Sequence, residues 1–329
     1  MQRSLIQHRI VCILFASMFA IGSNIALGQD GYPTKPVRLV VGSSPGGGTD
    51  TTARLIQPKL GQFLGQQVLV DNRPGAASMI GAEHAARSDP DGYTLFMGIS
   101  TMTIVPSTYR KIRFDPIKDF EPVSKVVSVP QLLVSHPSLP PKNMKELILF
   151  AKARPGQLNY AAGGYGGNPH MSMVQLLSMT GMDIVYVPYK SGNAGLTDTL
   201  TGEMSMMMAN MLSALPHVRV GRLRAYGVTT ARRAPGADDI PTIAESGVPG
   251  YESTQWFGVL VPAKTPRSIV MRLHRDVVRV VNDKEIQQGF IRNGGTPEAS
   301  ATPEDFGRFM QAEIEKWAKV VKAAKMKQL

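Results

Sequence analysis

The chain has 329 residues, 43% of them hydrophobic, and a formal net charge of +11. That length and apolar content suit two domains with real cores and exclude a disordered chain. The basic residues are scattered and not interleaved with aromatics, which speaks against nucleic acid and for a small acidic solute.

Residues 1–28 read as a secretory signal peptide. Arg3 and Arg9 form a basic start, and residues 10–21 form an apolar core too short to span a bilayer comfortably. Ala26-Leu27-Gly28 offers small residues for cleavage near Gly28/Gln29, so the mature chain is expected to be exported. Cys12, the single cysteine, lies inside the apolar core; a cleaved chain would carry no disulfide and no lipid-anchored cysteine.

Residues 37–41 are a short, largely β-branched run that suits a strand covered on both faces. Gly46, Gly47 and Gly48 then permit a sharp turn and close approach of a ligand to backbone amides. Thr49 and Asp50 are suitable N-cap residues, and Leu55, Ile56, Leu60, Phe63 and Leu64 continue at helical spacing. Such a turn presents unpaired N–H groups and the positive end of a helix dipole, a ready anion site. Ser43-Ser44-Pro45 sits in a formal G-x-S-x-G match, but the residue after the serine must donate an oxyanion-hole N–H, and Pro45 has none. No lysine follows the glycines, so a P-loop is excluded too.

Pro58 is expected to bend or break the helix. Residues 67–70 read as a second strand, 80–87 as a short helix and 93–97 as a third strand. That strand ends in a small polar loop containing Ser100 and Thr101, at the same sheet edge as the glycine turn. Residues 120–134 form a β-branched run interrupted by Pro130, the expected passage between domains. A helix over 144–153 follows, and then the opening pattern recurs. Residues 158–162 are a strand, Gly163-Gly164-Tyr165-Gly166-Gly167 a glycine loop, and Asn168-Pro169 a helix start before a buried helix over 171–179. Strands are expected at 184–187, 204–208, 223–228 and 256–261, and helices at 196–201, 268–282 and 303–324; residues 236–250 are a loop. The methionines of 204–208 read as core filler. Strand–helix alternation gives an α/β class with mostly parallel sheets flanked by helices, and two glycine turns of one type suggest two lobes facing one cleft.

In order along the chain, Tyr32-Pro33-Thr34-Lys35-Pro36-Val37, Pro45-Gly46-Gly47-Gly48-Thr49-Asp50, Asp71-Asn72-Arg73-Pro74-Gly75, Pro90-Asp91-Gly92-Tyr93, Asp119-Phe120-Glu121-Pro122, Val187-Pro188-Tyr189-Lys190, Leu223-Arg224-Ala225-Tyr226-Gly227, Pro241-Thr242-Ile243-Ala244-Glu245 and Lys316-Trp317 occur. This succession resembles the Bug-type solute receptors of tripartite tricarboxylate transporters, over essentially the whole chain after the leader. The resemblance implies a two-lobed, type II-like periplasmic binding protein with a hinge. Its first lobe would comprise residues 29–130 and 248–329 and its second 131–247. It would act as a monomer without a cofactor or metal, delivering a carboxylate to a two-component membrane permease. Carried over by position, the site implied is Ser43, Ser44, Gly47, Gly48, Thr49 and Asp50 on the first loop. The second loop supplies Ala162, Gly163, Gly164, Tyr165, Gly166, Gly167 and His170. Lys190, Ser191, Ala209 and Asn210 form further wall, beside the Ser100 and Thr101 read from the sheet edge.

Four positions depart from the pattern that the resemblance implies: Ser43 replaces an aromatic, Ala162 a serine, Gly167 a serine or threonine, and Ala209 an acidic residue. These changes remove an ammonium partner and widen the cleft, which points to a carboxylate with an apolar or aromatic far end and away from an amino acid. Asp50 could still partner an ammonium, and an ordinary dicarboxylate in a wet site is the alternative. An exported hydrolase finds little support. The six histidines, including His170, contain no pair at ligand spacing, and no nucleophile–base pair is recognisable. A receptor that signals to a sensor would look the same.

Overall fold

The computed structural model describes residues 31–329 apart from Lys190 and Asn293. The expected signal peptide, its cleavage site and Lys190 therefore lie outside the described residues. One sheet has the order β11-β4-β10-β3-β1-β2. Its strands are β1 (Val37–Val41), β2 (Val68–Asn72), β3 (Thr94–Ile99), β4 (Phe120–Val129), β10 (Gln255–Pro262) and β11 (Thr296–Pro297). The other has the order β7-β6-β8-β5-β9. It contains β5 (Gln131–Ser135), β6 (Leu158–Gly163), β7 (Ile184–Tyr189), β8 (Met206–Asn210) and β9 (Arg224–Val228). The chain passes from the first sheet to the second at Pro130, between β4 and β5.

The sheets are mixed, which corrects the expectation of mostly parallel ones. β1 is parallel to β2 and β3, and β6 to β7 and β8. β10 is antiparallel to β3 and β4, and β5 to β8 and β9. The reason lies in the crossover. β5 and β10 start there and run outward, whereas their neighbours run toward it. The loops after β1, β3, β6 and β8 consequently gather at the crossover.

The helices are α1 (Gly48–Leu64), α2 (Met79–Ala86), α3 (Thr101–Thr108), α4 (Met144–Lys152), α5 (Asn168–Thr180), α6 (Gly192–Thr201), α7 (Met211–Arg219), α8 (Arg267–Val281), α9 (Lys284–Arg292) and α10 (Pro303–Ala323). Pro58 does not break α1. It lies on the exposed face, where water can take the unmatched carbonyl one turn back, while Ala53, Ile56, Leu60 and Leu64 keep a continuous buried stripe. The helix caps are also earlier than expected, by two residues in α1 and one in α5: Gly47 caps α1 and Gly167 caps α5, so Thr49, Asp50 and Asn168 belong to first turns. α3, α7 and α9 are helices where none was expected.

Trp256 packs edge-on to Phe306 in the first core, near the stacked Phe96 and Phe120. Tyr160, Met173, Met206 and Met208 fill the second, as the core-filler reading of the methionines predicts. A third cluster joins the lobes: Ile104 of α3, Met171 and Val174 of α5 and Trp317 of α10. Burial of apolar side chains of this size contributes about 1.5–3 kcal/mol each.

Candidate functional site

A cleft of about 400 Å³ opens where the loops meet the crossover strands. The first lobe supplies one wall. After β1 the chain turns at Gly46, whose φ of +79° is open to glycine, and the Gly47 amide donates to Ser44 O at 3.2 Å. Gly47 caps α1 with no side-chain acceptor, so the first-turn N–H groups of Gly48, Thr49 and Asp50 have no helical carbonyl behind them. Gly47, Gly48, Thr51 and Thr52 line the cleft here.

Asp50 is 2% exposed and points away from any ligand role. Its carboxylate accepts from the Gly46 amide at 2.8 Å, from Arg54 Nε at 2.9 and 3.1 Å, and from Asn72 Nδ2 at 2.9 Å. Burial pushes this carboxyl up, but the hydrogen bonds from Arg54, Gly46 and Asn72, with the Arg54 charge, hold it below its ordinary range. With those partners in place it is no substitute counter-ion for an ammonium.

The second lobe supplies the facing wall. Ser191 caps α6, its Oγ accepting from the Ala194 amide at 3.3 Å, and Gly192 and Asn193 follow in the first turn. Gly163 packs tightly, since a Cβ would lie 3.2 Å from the Gly192 nitrogen; its absence lets β6 end close against the α6 start. Asn210 closes β8, and the Ser213 hydroxyl donates to Asn210 O at 3.0 Å at the start of α7. The floor is apolar. It consists of Leu55 of α1, Val127 and Val129 of β4, Phe257 of β10 and Phe290 of α9. Gly289 lets α9 press onto α1, since a Cβ there would stand 2.8 Å from Leu55 Cδ1.

Among the described lining residues none carries a charge. The polar groups of this lining are backbone amides, hydroxyls and two side-chain amides, at the starts of α1, α6 and α7. This set favours an anionic group without supplying a counter-charge for a cation.

Of the expected site residues, the cleft lining takes in Gly47, Gly48, Ser191 and Asn210. Ser44 only borders the turn, and Ser43 lies beneath it, with Oγ buried and 3.3 Å from where a Gly47 Cβ would stand. Ser43 therefore fills space under the turn and does not widen the cleft. Thr49, Ser100 and Thr101 are buried; Ser100 O accepts from Thr103 Oγ1 at 2.8 Å. Ala162 and Ala209 are core residues on opposite faces of the second sheet.

The second glycine loop is docked elsewhere. Gly164 and Gly166 have φ of +77° and +70°, and Gly166 sits so close to α3 that a Cβ would meet Thr108 Oγ1 at 2.7 Å. The Tyr165 hydroxyl donates to Lys327 O at 2.6 Å, and Gly167 caps α5 beside this contact. His170 Nδ1 accepts from the Gly166 amide at 3.2 Å, and its ring lies 4.3 Å from that of Tyr186. Burial pushes the imidazole down to about 4, so the ring is neutral at ordinary pH and serves as an acceptor.

Residues missed from sequence are Thr51, Thr52 and Leu55, one turn into α1, together with Ser213, Val127, Val129, Phe257 and Phe290. The first three follow from the helix register once its start is set at Gly48.

Comparison with known proteins identifies the chain. Residues 52–326 match the family described as tripartite tricarboxylate transporter family receptor. The chain belongs to this family. The receptor is 33% identical to BugT of Bordetella pertussis over 323 residues, covering 97% of this chain and 99% of that protein. It is similar to the structure of R. palustris Rpa4515 with adipate, with 37% identity and a TM-score of 0.82, over 91% of this chain and all of that one. It is also similar to MatC from Rhodopseudomonas palustris with bound malate, with 30% identity and a TM-score of 0.78, over 88% of this chain and all of that one. The expected family and two-lobed α/β fold are thus borne out: the receptor has the architecture of periplasmic solute-binding proteins. Among its described residues no helix is long and apolar enough to cross a membrane.

Proposed function

We propose that the receptor captures a small organic carboxylate with an apolar or aromatic body in this cleft and delivers it to a two-component permease of the tripartite type. Capture would close the lobe of residues 29–130 and 248–329 onto that of residues 131–247, with the receptor acting as an exported monomer without cofactor. One observation carries this reading: a cleft whose described lining residues carry no charge, with helix starts on both walls and an apolar floor. An acid group fits the amides, and leaving an ammonium there unpaired would be costly. Adipate and malate, held by the Rpa4515 and MatC structures, are both diacids, and the methylene chain of adipate suits such a floor.

A thermal-shift screen of benzoate-type monoacids, aromatic diacids, aliphatic diacids, citrate and amino acids tests the ligand class. Aromatic acids or apolar-chain diacids should give the largest shifts. Aspartate or glutamate giving the largest shift, with benzoate-type acids silent, would contradict the assignment. Loss of uptake of the winning acid in a deletion strain tests delivery; unimpaired uptake would favour a sensing role.

A further inference from the structure

The anion wall of the first lobe contains a paradox. Asp50, buried and ionised, lies in the first turn of α1, beside the lining residues Gly47, Gly48, Thr51 and Thr52. Unbalanced, its charge would repel the acid that the first-turn amides attract. Its carboxylate also ties the turn together, through the Gly46 amide at 2.8 Å and through Asn72, whose Nδ2 also donates to Ser43 O at 3.0 Å. Arg54, one turn further along the same helix, reaches back with Nε to both Asp50 oxygens and with a second guanidinium nitrogen to Asn72 Oδ1 at 3.1 Å. From β2, which packs against α1, only the uncharged Asn72 faces Asp50; Asp71 is taken by Arg73 at 3.0 Å and Arg38 at 3.7 Å.

We propose that Asp50 and Arg54 form a charge-neutral brace behind the anion cradle. Asp50 is a positioning residue that shapes the glycine turn, and Arg54 sets anion affinity by cancelling the Asp50 charge without touching the ligand. This rests on the cleft being the anion site proposed above. Asp50 itself, one of the residues expected to bind ligand, acts through Gly46 instead.

The test uses the mature receptor, with adipate and benzoate as probes, and reads Kd by calorimetry at low and high salt. Arg54→Gln leaves Asp50 uncompensated. Its Kd should rise about tenfold at low salt, the order expected of one charge nearby at an effective dielectric near 20, and the loss should shrink as salt screens the repulsion. Arg54→Lys keeps the charge and should stay within about threefold of the parent. Asp50→Asn should weaken binding by loosening the turn, yet show the opposite salt trend, because Arg54 now adds net attraction. Asp50→Asn combined with Arg54→Gln should return to the salt trend of the parent. A purely structural role would lower affinity in these variants without reversing the sign of the salt response. If the parent binds either probe but Arg54→Gln matches it in Kd and salt trend, the brace is wrong and the cleft assignment stands. If the parent binds neither probe, the cleft assignment fails and takes the brace with it.

Discussion

Replacing Ser213 by aspartate should strip the receptor of its carboxylate. Ser213 lines the cleft at the start of α7, on the wall facing the glycine turn. An acidic residue in a first turn is favoured by the helix dipole, which offsets the lost hydrogen bond from the Ser213 hydroxyl to Asn210 O, so Ser213→Asp should still fold. The cleft volume of about 400 Å³ corresponds to a sphere about 9 Å across, which sets the scale of the separation between the new charge and a bound acid. At an effective dielectric near 20, two like charges repel by about 2 kcal/mol at ~9 Å and about 3 kcal/mol at ~5 Å. Affinity should therefore fall about 20- to 200-fold. Calorimetric titration with adipate and benzoate reads this directly, and a thermal melt of the unliganded variant checks the fold. An unchanged Kd in a folded variant would show that the acid does not sit between α1 and α7, and would refute the cleft assignment.

Gly289→Ala should drive Leu55 into the cleft floor, since its new Cβ would lie 2.8 Å from Leu55 Cδ1. Overpacking of about 1–3 kcal/mol is partly offset by about 1 kcal/mol of helix propensity, so the melt should move little while affinity drops several-fold; unchanged affinity would mean that the floor does not touch ligand. His170, with its folded pKa held near 4 by burial against 6.5 unfolded, should cost stability as the pH falls from about 6.5 to 4, because only the unfolded chain takes up the proton. The loss is of the order of 3 kcal/mol, and denaturant titrations of the parent and His170→Asn should diverge in slope over that window; parallel slopes would contradict the buried neutral ring. Tyr165→Phe removes the hydrogen bond to Lys327 O and should cost about 0.5–1.5 kcal/mol, with ligand affinity within about twofold of the parent. A large affinity loss would return the second glycine loop to the ligand.

The strand, glycine turn and helix of residues 37–64 were legible because local chemistry decides them: a β-branched run, three adjacent glycines, then a helical stripe. Pro130 in a β-branched run likewise marks the place where the chain leaves one sheet for the other. The two glycine loops carry the same local signal, yet only the first faces the cleft. What separates them is tertiary. Gly166 meets Thr108 and Tyr165 meets the C-terminal segment, contacts made by residues far off in sequence. The cap of α1 lies two residues before Thr49, although Thr49 and Asp50 are better intrinsic caps than Gly47; the Asp50 carboxylate reaches back to Gly46 from inside the turn. With the start at Gly48, Thr51, Thr52 and Leu55 fall on the cleft side of the helix. Phe290 was hidden because α9 has nine residues and a largely polar sequence, too short to show its period against the background. Strand direction was misjudged since periodicity reports burial and is silent about which lobe a strand enters from.

The most direct test of the account is a matched-pair calorimetric titration of the receptor with hexanoate, adipate and benzoate, their neutral amides, and the corresponding α-amino acids. Recognition by helix starts over an apolar floor predicts that at least one of the acids binds, that its amide binds at least about tenfold weaker through loss of the charge-assisted hydrogen bonds, and that the amino acid does not bind. Amino acids binding more tightly than the plain acids, or amides binding as well as acids, would contradict it.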